Sequence, residues 1–130
     1  MSFRNGAGSL VCFYLLPLVG YGALIYYFSA QSDLDLGVSF SHFDKLLHLL
    51  EYAVLGVLGY RFWRRLLPAR SPAFLLLLAF LLALVYGISD EFHQSLVPGR
   101  DSSPMDILAD GAGGYLGARI YMVICQRREG

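Results

Sequence analysis

The chain has 130 residues, which leaves room for one domain, and 56% of them are hydrophobic against 15% charged, with a mean hydropathy of +0.53. That is too apolar for an ordinary soluble domain. Ten basic and ten acidic side chains cancel to zero formal charge, so the total points to no nucleic-acid partner and the distribution of charge carries the information instead.

The first apolar stretch, residues 10–28, follows Arg4 in the manner of a secretory leader. Its only small-residue exit, Phe28-Ser29-Ala30, has a bulky Phe where cleavage needs a small side chain, so an uncleaved first transmembrane helix is expected. Pro17, Gly20 and Gly22 allow a kink or close packing in it. Residues 29–42 form a polar loop with two acids, Asp33 and Asp35, and no Lys or Arg. A second helix, about 43–63, is announced by Ser41-His42-Phe43-Asp44, a pattern that can cap a first turn. At about 100° per residue, Asp44, His48 and Glu51 share one narrow face with Tyr52 at its edge.

Arg61, Arg64, Arg65 and Arg70 then mark a basic loop, a topology signal and a possible anionic-lipid contact. Ser71-Pro72 opens a third helix, about 72–94, apolar without a break from 73 to 88. Past that run, Tyr86, Asp90, His93 and Gln94 fall on one face and Glu91 is expected to point elsewhere. Val97-Pro98-Gly99-Arg100 reads as a turn. A fourth helix, about 104–125, opens at Ser103-Pro104, with Asp106 placed for a capping role and Asp110 one turn further in. Gly113 and Gly117 continue that face, a spacing that lets a neighbouring backbone approach. Cys12 and Cys125 have neither metal-ligand spacing nor a disulfide pattern and read as small apolar fillers.

Charge asymmetry orients the chain. Arg4, the arginines of the middle loop, Arg119, Arg127 and Arg128 belong to one side, which the positive-inside tendency makes cytoplasmic. The expected fold is therefore one all-α integral membrane domain over residues 1–130, with four transmembrane helices and both termini cytoplasmic. Nine of the ten acids then gather at the outer ends of the last three helices and their loops, five of them within residues 89–110.

Some of these groups have plain structural readings: Asp44 and Asp106 as helix caps, Lys45 and Arg119 as snorkelling cations. Glu51 and Asp110 resist them. A carboxylate inside a span costs at least ~2.5 kcal/mol on insertion scales and is a functional candidate by default. His48 and His93 beside several carboxylates fit acid–base work, a metal site or an ion-pair network, and no residue is assigned to a metal or cofactor at this level. The polar ends of three helices are expected to meet, bringing positions 48, 93 and 110 together around a pocket that opens outward.

The run Asp44-Lys45-Leu46-Leu47-His48-Leu49-Leu50-Glu51-Tyr52, then Ser89-Asp90-Glu91-Phe92-His93-Gln94, Val97-Pro98-Gly99-Arg100-Asp101 and Asp106-Ile107-Leu108-Ala109-Asp110 resembles the VanZ-like family. Two departures are visible: Glu51 stands where members vary, and Asp110 where Asn is common. The resemblance implies a small multi-spanning protein of the bacterial inner membrane, whose named relative is associated with low-level resistance to teicoplanin. It implies the cell envelope and names no reaction. The site candidates for catalysis or binding are Asp44, His48, Glu51, Asp90, Glu91, His93, Gln94, Asp106 and Asp110, with Lys45, Tyr52, Arg100 and Asp101 for substrate. Three functions stay open: an enzyme acting on a membrane lipid or lipid-linked cell-wall precursor, with Asp90 or Glu91 and His93 supplying acid–base chemistry; a non-catalytic binder or translocation helper for a head group or antibiotic; or a structural subunit of a larger membrane complex.

The orientation has a direct test in a background lacking Cys12 and Cys125. Single cysteines at Ser32 and Ser95 should react with an impermeant thiol reagent on intact cells, and one at Ser71 should not. Labelling at position 71 alone would invert the topology.

Overall fold

The computed structural model describes residues 6–31 and 41–130, the side chains of 41 and 42 aside. The loop acids Asp33 and Asp35, and the capping role of Ser41, therefore lie outside the described residues. What is described is all helical, in four helices: α1 (Ala7–Ser29), α2 (Ser41–Leu66), α3 (Pro72–Ser95) and α4 (Pro104–Glu129). By length and composition α1 and α3 are apolar enough to cross a membrane.

Local chemistry explains the helix ends. Ser71 Oγ accepts from the Phe74 amide at 3.3 Å, and Pro72 fills the first turn where its missing N–H costs nothing. Ser103 caps α4 by accepting from Met105 N at 3.2 Å. Asp106 is therefore not the cap of this helix: Ser103 holds that position, and the Asp106 carboxylate turns to another helix. Gly99, at a φ of 80°, supplies the left-handed residue that the turn between α3 and α4 requires. In α1 a wide π turn, Val11–Leu15, sits immediately before Pro17. Pro17 has no N–H for the carbonyl one turn back and its ring crowds that carbonyl, so the chain widens there.

α2 and α4 run parallel, α3 antiparallel to both, and α2 and α4 pack backbone to backbone. A Cβ on Gly113 would lie 2.1 Å from Leu49 O, one on Gly117 2.0 Å from Ala53 O, and one on Gly56 2.0 Å from Gly114 O. Only glycine permits such an approach. Ala83 lies against Gly114, and Tyr60, Leu75, Leu76, Ala79, Ala118 and Met122 fill the core toward the arginine end. α1 touches α2 and α3 and, among the described residues, not α4. It is attached by Tyr21 Oη donating to Glu51 O at 3.0 Å and by Tyr86 Oη donating to Gly22 O at 2.5 Å.

The surface is inverted relative to a soluble protein. Phe92 is 68% exposed while Glu91 beside it is 4% exposed, and Val85, Leu108 and Ile120 face outward while Asp90, Asp106 and Asp110 are buried.

The glycine seam generates a stability prediction. Gly113→Ala and Gly117→Ala each place a methyl inside a backbone contact and should cost about 1–3 kcal/mol, read as a lower melting temperature in detergent. Gly20→Ala, whose Cβ meets nothing within 4 Å, should melt as the native chain does.

Candidate functional site

Where α2, α3 and α4 meet, His48 Nδ1 and Asp110 Oδ1 form a hydrogen bond of 2.9 Å with both side chains buried. His48 comes from the second turn of α2. Asp110 comes from the second turn of α4, three residues before Gly113, so the close approach at Gly113 carries the two side chains together. Gly87 of α3 completes the cradle: a Cβ there would lie 2.7 Å from Asp110 Oδ2.

Glu91 belongs to this cluster, contrary to the expectation that it points elsewhere. One donor atom each from His48, Glu91 and Asp110 lie within 4.8 Å of one another. The buried face of α3 is Gly87, Asp90, Glu91 and Gln94. Centred on Gly87, Glu91 is only about 40° away at ~100° per residue. Tyr86 and His93 form a separate stripe, which faces α1. A glycine interrupting an apolar run was the signal available in the sequence, because it marks where a neighbour comes closest.

His93, expected near the same pair, makes its described contact with α1. Its ring stacks on Tyr26 of α1 with centroids 4.1 Å apart, and its Nδ1 is buried without a hydrogen-bond partner. Asp90 is bonded by Gln94, one turn on, whose Nε2 donates to Asp90 Oδ2 at 3.1 Å. Glu91 Oε2 accepts from the Ser103 amide at 2.8 Å, tying the end of α3 to the start of α4.

Lys45, read above as a snorkelling cation or a substrate contact, donates to Asp106 Oδ1 at 3.0 Å and so bridges α2 to α4. Asp44 is exposed, yet it offers a carboxylate oxygen within 4.8 Å of donors on His48 and Asp106. Glu51 lies half-buried at the margin of the cluster, within electrostatic reach of His48, Asp90, Asp110 and Arg100. Tyr52 is fully buried, in the fields of Asp110 and Asp90. Asp101 is exposed and Arg100 half-buried on the connecting turn. The side chains expected to line an outward pocket are thus mostly covered: Asp110 is 0% exposed and Gln94 and Asp106 2%.

Several buried atoms here have no partner, among them Asp90 Oδ1, Glu91 Oε1, Asp110 Oδ2 and the Tyr52 hydroxyl. Burial without a partner is costly for a carboxylate. Among the described residues two sets could hold a cation, His48 with Glu91 and Asp110, and His48 with Asp44 and Asp106. In the first set two of the three carry a free carboxylate oxygen. In the second, Lys45 already supplies a positive charge.

The model of the VanZ/LLP1 family matches residues 2–125 of the chain. The chain belongs to the VanZ/LLP1 family. Neither a curated protein nor a solved structure matches it. The matched span contains the whole polar cluster and the glycine seam beneath it, so both are features of a VanZ/LLP1 chain and neither sits on an appendage.

The buried pair in this VanZ/LLP1 protein generates a second prediction. His48→Leu leaves Asp110 buried without its partner, which costs about 3–5 kcal/mol. Adding Asp110→Leu should recover much of that loss. A double-mutant cycle on detergent-purified protein reads the coupling directly, and additive losses would show that the two side chains do not act as a pair.

Proposed function

We propose that this VanZ/LLP1 protein is a bacterial inner-membrane protein that crosses the membrane with all four helices, both termini cytoplasmic. We propose further that the cluster at the outer helix ends modifies a lipid or lipid-linked envelope precursor, in the setting of glycopeptide (teicoplanin) resistance. The observation that carries this reading is the buried His48–Asp110 pair at 2.9 Å with Glu91 against it.

Support for four spans comes from lengths and faces. α2 and α4 have 26 residues each, about 39 Å at 1.5 Å per residue, against a hydrocarbon core of ~30 Å. In their outer halves His48, Asp106 and Asp110 turn inward, and Leu50, Val54, Leu108 and Leu116 turn out. A helix that hides its carboxylates and exposes its leucines is suited to lipid.

The chemistry follows from the pair. Asp110 accepts a hydrogen bond from His48 Nδ1 and fixes the ring, which leaves Nε2 as the atom that takes or returns a proton. Glu91 adds a carboxylate oxygen without a partner, positioned to share that proton or to bind a donor on the substrate. Arg100, on the turn beside the cluster, supplies a guanidinium for an anionic head group. The acid–base role expected of His93 passes to His48, because His93 is engaged with Tyr26 and His48 is engaged with a carboxylate.

The test compares lipid extracts from cells with and without the protein, alongside their teicoplanin susceptibility. A lipid-linked species should appear or disappear with expression, and Glu91→Gln should accumulate in the membrane yet abolish the change. Unaltered lipids together with retained resistance would replace the enzyme by the binder.

A further inference from the structure

The arginine end of the bundle holds a cavity of about 630 Å³, lined by Arg61, Arg64, Arg65 and Arg70 together with Tyr60 and Tyr121. We propose that it binds the phosphate-bearing head group of an anionic membrane lipid. The site is independent of the carboxylate cluster: thirteen residues of α2 separate Arg61 from His48, about 20 Å along the helix axis.

Charge is the first argument. Of the residues lining the cavity only Glu129 is acidic, and it is paired with Arg64. Arg61 lies over the Tyr14 ring at 5.6 Å and Arg70 over Phe74 at 5.5 Å, contacts that orient a guanidinium and leave its charge in place. Among the described residues Arg65 has no ion-pair partner. Three guanidinium groups without an acid therefore converge on one space. Planar guanidinium forks match phosphate oxygens two at a time.

Size and surroundings choose the lipid over a free anion. The volume falls within the range of about 300–1,000 Å³ that suits organic ligands, far more than inorganic phosphate fills. Its wall includes Leu75, Pro68 and Pro72 beside the arginines, so one side is apolar. Tyr14, Tyr60, Trp63 and Tyr121 gather at this level, the depth at which aromatic rings sit between head groups and chains. Basic pockets between helices on the cytoplasmic side are the sites that hold anionic head groups. Arginines serving only to orient the chain need no common cavity.

Trp63, the one tryptophan of the chain, packs against the core cluster that includes the cavity-lining Tyr60 and Leu75, and gives a fluorescence signal beside the cavity. The experiment titrates the purified full-length protein in neutral detergent with phosphatidylglycerol, phosphatidylcholine and inorganic phosphate in separate arms. Phosphatidylglycerol should shift the emission saturably and phosphatidylcholine should not. Arg65→Gln and Arg70→Gln together should weaken binding about tenfold or more, with Arg65→Lys recovering part of it. Arg119→Gln, on the exposed face of α4 beside Tyr115, should bind as the native chain does. Native mass spectrometry of the same samples reads retained lipid without depending on Trp63. Equal binding of the two lipids, or native affinity in the double variant, would overturn the proposal. Saturation by inorganic phosphate at the same affinity as the lipid would assign the cavity to a free anion instead. Every arm reads binding alone, so the result stands apart from any reaction at His48.

Discussion

Backbone meets backbone where α4 lies along α2, and the rest of the molecule depends on that contact. Leu49 O and Ala53 O occupy the space that side chains on Gly113 and Gly117 would need. In lipid no hydrophobic effect drives helices together, because the surrounding chains are as apolar as leucine. Close packing over small residues has to do the work, and this seam supplies it on both helices, with Gly56 answering Gly114. Once the register is set by the seam, His48 and Asp110 face each other one turn away with no freedom to miss. Gly87 does the same on α3, where a methyl group would displace the Asp110 carboxylate.

The two ends of the bundle solve opposite electrostatic problems. At the carboxylate end acids outnumber cations, and four of them are buried against a specific neighbour: Asp106 with Lys45, Asp110 with His48, Glu91 with the Ser103 amide, Asp90 with Gln94. Low local polarity makes each of these bonds stronger and each orphaned atom more costly. The result is a closed, interlocked cluster. At the other end arginines outnumber acids, and long stems let them spread around a cavity. A short carboxylate side chain has no such option, which is why the acids interlock and the arginines do not.

How far this could be read in advance depends on what each residue's signal encodes. The start of α3 was legible because Ser71-Pro72 states a cap and a first turn in two letters, and structure and sequence agree on it. The meeting of positions 48 and 110 was legible from cost: two ionisable groups facing lipid would each be unpaired. Glu91 and His93 were exchanged because a helix with three neighbours has no single inward face. Counting the stripe from Tyr86 follows the face toward α1, whereas counting from Gly87 follows the face toward α4. Asp106 satisfied the capping pattern equally well as a cap or as a partner for Lys45, and only the position of α2 decides between them. The basic cavity was illegible, since four arginines in a loop look the same whether they converge or splay.

The attachment of α1 separates the helix that closes the site from the helices that build it. α2 and α4 are joined by a seam of backbone contacts, and α3 packs on them through Ala79, Ala83 and Gly87 and through buried charge. α1 is held by two tyrosine hydroxyls on backbone carbonyls, by the Tyr26–His93 stack, by Arg61 over Tyr14, and by Leu18 and Ile25, which are buried in one apolar cluster with Tyr52, Leu55 and Ala83. Hydrogen bonds within a membrane contribute roughly 1–2 kcal/mol or less, and an aromatic pair about 0.5–1.5 kcal/mol. The polar contacts of α1 fall on Glu51, Tyr86 and His93, the polar residues on the flank of the cluster that faces away from α4. Glu51 is the link: its carbonyl anchors Tyr21 while its carboxylate stands in the fields of His48 and Asp110. The residue expected to be catalytic by depth thus sits at the joint between the cluster and α1, half-buried where Asp110 is fully covered.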